Sequence, residues 1–412
     1  MAKIFKDELF QAQWLRTAGY ASYGGAELGE CFAIADQIQE LDAASWYSAW
    51  ATFAERLEQL AEQSSAAGHR ESAKQAFLRA SNYWRAAFIF LIGKPMDKRV
   101  KAAYRRQRAS FEAAAQLMTP KAERISVPYE GHQLHGYLFK GSEDAHPHPT
   151  LIINGGYDST AEESYFLSGA AAIARGYTCI VFDGPGQGAA IIEDGLVFRP
   201  DWEAVIRSVL DFAVKRPEVD QARIALMGIS FGGYLAPRGA SGESRLAALI
   251  ADPGNLSLED ESKTRLPAFV ANRLSSRAPW IVWPLRWLLS RRLRHLTHGW
   301  ALRRGLWVHG VAKPMDYIRL LKSYSSKDAA SHIACPSLIC RAEDDGIGVT
   351  ARNLYDLIPA PKLFHVFKSK DGAGEHCEAG ARELFNQFAF DWLDGVLGTK
   401  PPRIRTRDSG SS

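Results

Sequence analysis

Ile224-Ala225-Leu226-Met227-Gly228-Ile229-Ser230-Phe231-Gly232-Gly233 is the stretch that decides the reading of this chain. An apolar run ends in G-x-S-x-G, the pattern of a strand that turns sharply into a helix. Such a turn holds the serine hydroxyl clear of the backbone at the head of the new helix. Gly228 and Gly232 suit it because a Cβ at either position would crowd the strand–helix crossing. The Phe231 N–H is then directed at the place where an oxyanion would form. Ser230 is therefore read as a nucleophile, and the rest of the chain is searched for its partners.

Downstream of Thr119-Pro120 the pattern alternates between strands and helices. Ile125–Tyr129 and Leu134–Phe139 read as a strand pair around a glycine turn. Strands are expected at Thr150–Ile153, Thr178–Phe182, Arg223–Met227, Ala247–Ala251, Ser337–Cys340 and Leu363–Phe367. Helices are expected at Glu162–Arg175, Trp202–Val214 and Glu378–Leu397. The alternation predicts an α/β fold with a mostly parallel central sheet and helices on both faces.

Upstream, residues 1–120 read as an all-helical domain. Trp46, Trp50, Phe53, Leu57 and Leu60 recur at helical spacing, with Ser45 as the expected N-cap. Ala73, Phe77, Ala80, Trp84 and Phe88 rebuild the pattern beyond Gly68. A third helix follows Pro95. Residues 121–398 then form the catalytic domain, residues 255–330 a helical lid insertion, and residues 399–412 a polar, flexible tail. The insertion carries Trp280, Trp283, Trp287, Trp300 and Trp307, and Ala271–Arg304 has Arg but no Asp or Glu.

The chain has 412 residues, 46% hydrophobic and 23% charged, with a net charge of +4. That is ordinary globular composition, and it argues against nucleic-acid binding. The charged N-terminus and short apolar runs such as Ala86–Ile92 argue against a signal peptide or membrane span, so a cytoplasmic location is expected and membrane contact is not. Cys31, Cys179, Cys335, Cys340 and Cys377 lack C-x-x-C spacing, so neither a metal site nor a disulfide framework is expected. No cofactor is called for. Phe182-Asp183-Gly184-Pro185-Gly186-Gln187-Gly188 lacks the Lys-Ser/Thr of a phosphate loop and reads as a structural turn near the pocket.

A serine nucleophile needs a base, and the base needs an orienting acid. With the chain order serine, acid, histidine, both partners belong on loops after late strands. Ala342-Glu343-Asp344-Asp345-Gly346 offers Asp345, with Asp344 as its rival. Gly374-Glu375-His376-Cys377 offers His376 as base. His365 and His332 read as structural, and Cys377 as packing. The second oxyanion donor is expected from Asn154-Gly155-Gly156-Tyr157-Asp158, as the N–H of Gly156 or Tyr157.

These motifs, with Tyr23-Gly24-Gly25, Gly29-Glu30, Ser45-Trp46 and Gly155–Thr160, resemble the α/β-hydrolases that carry an N-terminal helical domain. That group includes 2,6-dihydroxypseudooxynicotine hydrolase and the fungal polyketide-shortening hydrolases of pigment biosynthesis. The resemblance runs from about Phe10 to Leu397. It implies a Ser230–Asp345–His376 triad, a pocket between helical domain and sheet, and a homodimer; the expected partner is a hydrophobic or aromatic small-molecule substrate. It also implies cleavage of a carbon–carbon bond next to a ketone or of a carboxylic ester. An extra acidic residue near the pocket would fall to Asp252 or Glu259. An acyltransferase and a non-catalytic ligand-binding protein on the same scaffold are the alternatives.

Overall fold

The computed structural model describes residues 3–264, 287, 291–293 and 295–399. Eight strands form one sheet: β1 (Glu123–Tyr129), β2 (His132–Phe139), β3 (His148–Asn154), β4 (Thr178–Phe182), β5 (Val219–Ile229), β6 (Ala248–Asp252), β7 (Ser337–Ala342) and β8 (Lys362–Phe367). Their order is β1-β2-β4-β3-β5-β6-β7-β8. β2 runs antiparallel to β1 and β4, and the remaining neighbours are parallel. Each expected strand is present, within a few residues of its expected ends.

Side chains alternate across the central strands because successive Cβ atoms point to opposite faces. Ile152, Leu226, Leu249 and Ile339 join one core with helix α9 (Glu203–Ala213) and the N-terminal helices. Leu151, Ile153, Met227, Ile250 and Leu338 join the other core with the helix after β3 and the closing helix. The chain leaves β3 toward β4, then returns to β5 on the other side of β3. That reversal opens a crevice at the carboxyl ends of β3 and β5, the usual place for a ligand in such sheets.

Five helices precede the sheet: α1 (Glu8–Ala18), α2 (Leu28–Ala35), α3 (Ala43–Ala66), α4 (Arg70–Phe88) and α5 (Lys98–Leu117). In α3, Asp42 rather than Ser45 is the N-cap, accepting from Ala44 N–H. Ser45 instead accepts from Gln39 N–H at 2.7 Å. The buried stripe runs Trp46, Trp50, Ala54, Leu57, Ala61 and leaves Leu60 exposed, because alanines hold two of the core-facing positions. Buried indoles find acceptors in neighbouring segments: Trp46 donates to Ala86 O at 2.8 Å and Trp14 to Cys31 O at 3.0 Å.

The helix after β3 is α6 (Ala161–Ser164), a π turn at Tyr165–Gly169 and α7 (Ala170–Ala174). Next come α8 (Gly188–Ile192), α9 and α10 (Gly232–Ser241). Pro237 inside α10 cannot donate to Gly233 O, and Asn255 N–H takes that carbonyl at 3.1 Å. Within the insertion the described helices are α11 (Leu258–Thr264), α12 (Leu296–Val308) and α13 (Pro314–Leu320). Trp300 and Trp307 are buried and Trp287 is exposed. Trp280, Trp283 and the tail beyond residue 399 lie outside the described residues. α14 (Ala351–Leu357) joins β7 to β8, and α15 (Arg382–Leu397) closes the chain. α15 starts four residues later than the pattern predicts. Cys377, Glu378 and Gly380 have φ of 51°, 46° and 87°, and left-handed backbone cannot continue a helix. Among the described residues, no helix is long and apolar enough to cross a membrane.

Candidate active site

Ser230 follows β5 directly, with φ 62°, a conformation that costs a non-glycine residue about 1–3 kcal/mol. The surroundings impose it: Ser230 N–H donates to Asp252 O at 2.7 Å, and Ser230 O accepts from Gly233 N–H at 2.9 Å. A Cβ on Gly228 would overlap Gly232 O, and one on Gly232 would overlap Asn154 O. Both glycines are therefore required by contact, as the sequence reading supposed.

His376 sits on the loop after β8, and its Nε2 lies 2.9 Å from Ser230 Oγ. Its Nδ1 lies 2.7 Å from Asp345 Oδ2, on the loop after β7. The Asp345 side chain is 3% exposed, and its other oxygen accepts from Ile347 N–H at 2.8 Å. Asp344, the rival, is exposed and takes the Ser369 hydroxyl. Glu343 pairs with Lys368 at the surface. His365 stacks on Phe388 with centroids 3.8 Å apart, and His332 is exposed. Cys377 is buried, and burial pushes its thiol well above the ordinary range.

The loop after β3 approaches the serine closely. A Cβ on Gly156 would stand 2.7 Å from Ser230 Cβ and 3.1 Å from Phe231 N. The Gly156 N–H already donates to Ser159 Oγ at 2.7 Å. The Tyr157 and Phe231 N–H groups have no acceptor among the described residues. Gln187, from the turn after β4, donates its amide to Gly155 O at 2.6 Å and Gly156 O at 3.1 Å. In a trans peptide the C=O and N–H point opposite ways, so fixing Gly156 O also fixes the Tyr157 N–H. The Tyr157 ring stacks on Phe231 at 4.3 Å.

A cavity with about 710 Å³ of empty space, its mouth included, opens beside Ser230 and His376. One wall comes from α1 and the turn after it: Ala12, Gln13, Leu15, Arg16, Gly19 and Tyr20. Among the described residues no part of the insertion lines it. Asp252 and Glu259 do not line it either. Glu259 is spent on Lys263 at 2.9 Å and Lys322 at 3.8 Å. Asp252 is fully buried and pairs with Arg382 at 3.1 Å, and Arg382 also meets Glu378 at 3.3 Å. Burial pushes both carboxyls up, and Asp252 beside it pushes Glu378 further.

Sequence reasoning did not single out Arg16, Gln13, Gln187, Arg382 or Glu261. Glu261 is buried and accepts from Thr350 N–H at 2.9 Å and Thr350 Oγ1 at 2.8 Å, holding the chain just after Asp345. Only the Gln187 turn carried a local signal, its glycine-rich motif.

Known proteins resemble this chain over most of its length. The sequence model of the esterase FrsA-like family matches residues 34–278. The chain is 34% identical to hydrolase LUC6 of Fusarium sp, across 97% of this chain and 99% of that protein. It is also 34% identical to 20-hydroxy-prefusarin hydrolase FUS2 of Gibberella moniliformis, across the same shares. The solved structure of 2,6-dihydroxy-pseudo-oxynicotine hydrolase aligns with a TM-score of 0.73 at 26% identity, covering 92% of this chain and 95% of that one.

Proposed function

The chain belongs to the FrsA-like esterase family of α/β-hydrolases, and from that premise we propose that it cleaves a carbonyl substrate through a Ser230–His376–Asp345 triad. One observation carries the reading: Ser230 Oγ lies 2.9 Å from His376 Nε2, whose ring reaches Asp345 at 2.7 Å through Nδ1. His376 takes the Ser230 proton as Oγ attacks the carbonyl carbon. The Phe231 and Tyr157 N–H groups receive the oxyanion, aided by the positive end of α10. His376 then passes the proton to the leaving group, and water repeats the sequence to release the acid.

An ester loses an alkoxide. A ketone loses a carbanion, which needs an adjacent carbonyl to accept the electron pair. Both begin with the same attack, and the relatives' hydrolase names accommodate either. In this reading residues 1–120 cap the catalytic residues 121–398, with α1 over the cavity and the insertion 255–330 as a lid. The apolar Ala12, Leu15, Leu167 and Ile229 beside Ser230 favour a hydrophobic acyl portion.

The test is turnover of short p-nitrophenyl esters and of β-diketones by wild type and Ser230→Ala. Ser230→Ala is expected to lose at least about 10⁴-fold in kcat. Turnover that survives the substitution would overturn the reading. The class that wild type accepts identifies the bond.

A further inference from the structure

The α1 wall of the cavity carries a charge imbalance that the triad does not use. Arg16 lines the cavity and donates to Glu163 through Nε at 2.8 Å and Nη2 at 2.6 Å. Its Nη1 reaches Asp158 at 3.2 Å. Behind it, Arg85 has a fully buried side chain, 3.2 Å from the same Glu163. Arg304 meets Asp158 at 2.9 Å. Arg16, Arg85 and Arg304 thus face Asp158 and Glu163, three cations against two anions.

The donors are in excess as well. Arg85 Nη2 and Arg304 Nε are buried without an acceptor among the described residues, while Arg85 Nε is the atom that faces Glu163. Leaving such groups unmet is unfavourable, the more so where they are charged. Burial, and after it the neighbouring Arg16, push Arg85 below the usual guanidinium range; burial acts on Arg16 in the same direction, but Asp158 and Glu163 outweigh it there and hold Arg16 above that range. Gln13 accepts from Arg85 Nη1 at 3.4 Å, and its own amide nitrogen has no acceptor among the described residues. Gln13 and Arg16 both line the cavity with Ser230. The other lining cation, Arg382, is already matched by Asp252 and Glu378. The one lining carboxylate among the described residues, Glu375, is exposed to solvent.

We propose that Arg16 and Gln13 form a subsite for an anionic oxygen on the substrate, a carboxylate or the enolate of a 1,3-dicarbonyl, held beside the carbonyl that Ser230 attacks. The inference rests on the hydrolase reading of Ser230. An anion there supplies the missing charge to a buried cluster, and a charge-assisted contact in such a site is stronger than a neutral one.

Two matched pairs test it. Mono-p-nitrophenyl glutarate is compared with its methyl ester as substrate, and pentane-2,4-dione with its 3,3-dimethyl derivative as inhibitor of p-nitrophenyl acetate turnover. Wild type is expected to favour the ionisable member of at least one pair by about tenfold or more. The glutarate pair reports a carboxylate source and the dione pair an enolate source. Arg16→Gln should bring the favoured pair to within about threefold, while Arg16→Lys, which keeps the charge and loses the fork, retains part of the preference.

No preference in either pair overturns the subsite, as does a preference that survives in a folded Arg16→Gln. Should Arg16→Gln fail to fold, the wild-type pairs and Gln13→Leu decide: Gln13→Leu is expected to cut the preference by about threefold or more, and an undiminished preference would overturn the assignment. Neutral-ester turnover that depends on Ser230 without anion preference sinks the subsite alone. Neutral-ester turnover that survives Ser230→Ala sinks the hydrolase reading beneath it.

Discussion

At the scale of single residues, Gly156 shows how little room the reaction centre leaves. Its missing Cβ would stand 2.7 Å from Ser230 Cβ and 2.9 Å from its Oγ, closer than unbonded atoms tolerate. Gly156→Ala must therefore move the serine or the loop. Either shift separates the nucleophile from the Tyr157 N–H. Loss of one oxyanion donor costs about 10²–10³ in kcat, and a fall of that order is expected for Gly156→Ala with a smaller change in KM. Steady-state kinetics on a p-nitrophenyl ester, beside a melting curve to establish folding, checks it. Ser230 and the glycines at 228 and 232 were legible from the sequence because their constraint is local: strand, turn and helix follow one another. The choice between Gly156 and Tyr157 was not legible, since it hangs on the Ser159 hydroxyl three residues on and on Gln187 more than thirty residues away.

At the scale of elements, α12 supports the loop after β3 through His309, the residue that follows it. His309 is buried, with Nε2 2.9 Å from Tyr157 Oη and Nδ1 2.9 Å from Tyr324 Oη. Burial pushes the imidazole down to about 3, so it stays neutral through the working range and can donate through one nitrogen while accepting at the other. Tyr157 in turn stacks on Phe231, so the insertion steadies both the loop after β3 and the turn after Ser230. His309→Leu removes a partner from two phenols. It is expected to lower stability by about 1–3 kcal/mol in urea unfolding and kcat by about tenfold, with no new ionisation in the pH–rate profile above pH 5. An unchanged kcat would break the link between α12 and the loop after β3. Helix positions in the N-terminal region followed from hydrophobic period, yet the cap of α3 and the start of α15 did not. Asp42 competes with Ser45 for the same role three residues apart. The delay of α15 comes from left-handed backbone at Cys377 and Glu378, residues that do not advertise it.

At the scale of the whole molecule, the cluster around Asp158 and Glu163 ties α1, α4, the loop after β3 and α12 together. Burial acts to raise the Asp158 carboxyl, but Arg16, Arg304 and Arg85 outweigh it and hold the group well below its ordinary 3.8. A carboxyl depressed in the folded state binds its proton more readily when unfolded. Its contribution is complete above pH 3.8 and is lost as pH falls toward the folded value. The urea midpoint of wild type should therefore decline below about pH 4. Asp158→Asn should start lower and decline less over the same range. Parallel slopes for the two proteins would show that this carboxylate does not set the acid limit.

The sequence by itself determined the alternation of strands and helices, the serine elbow, and the loops that carry Asp345 and His376. Those signals are local, because periodicity and turn chemistry act within a few residues. Tertiary structure alone decided what stands across from the serine. Ser230 meets His376 across 146 positions, and Arg16 meets Glu163 across 147. The contacts of Ser230 with His376 and of His376 with Asp345 could still be expected, because chain order constrains which loops share the sheet's edge. Nothing in the periodicity of α1 distinguishes Arg16 from a solvated arginine. Its half-buried side chain, its pairing with Asp158 and Glu163 and its place in the cavity wall follow from packing α1 over the carboxyl ends of the strands, a long-range choice made by the shared hydrophobic core.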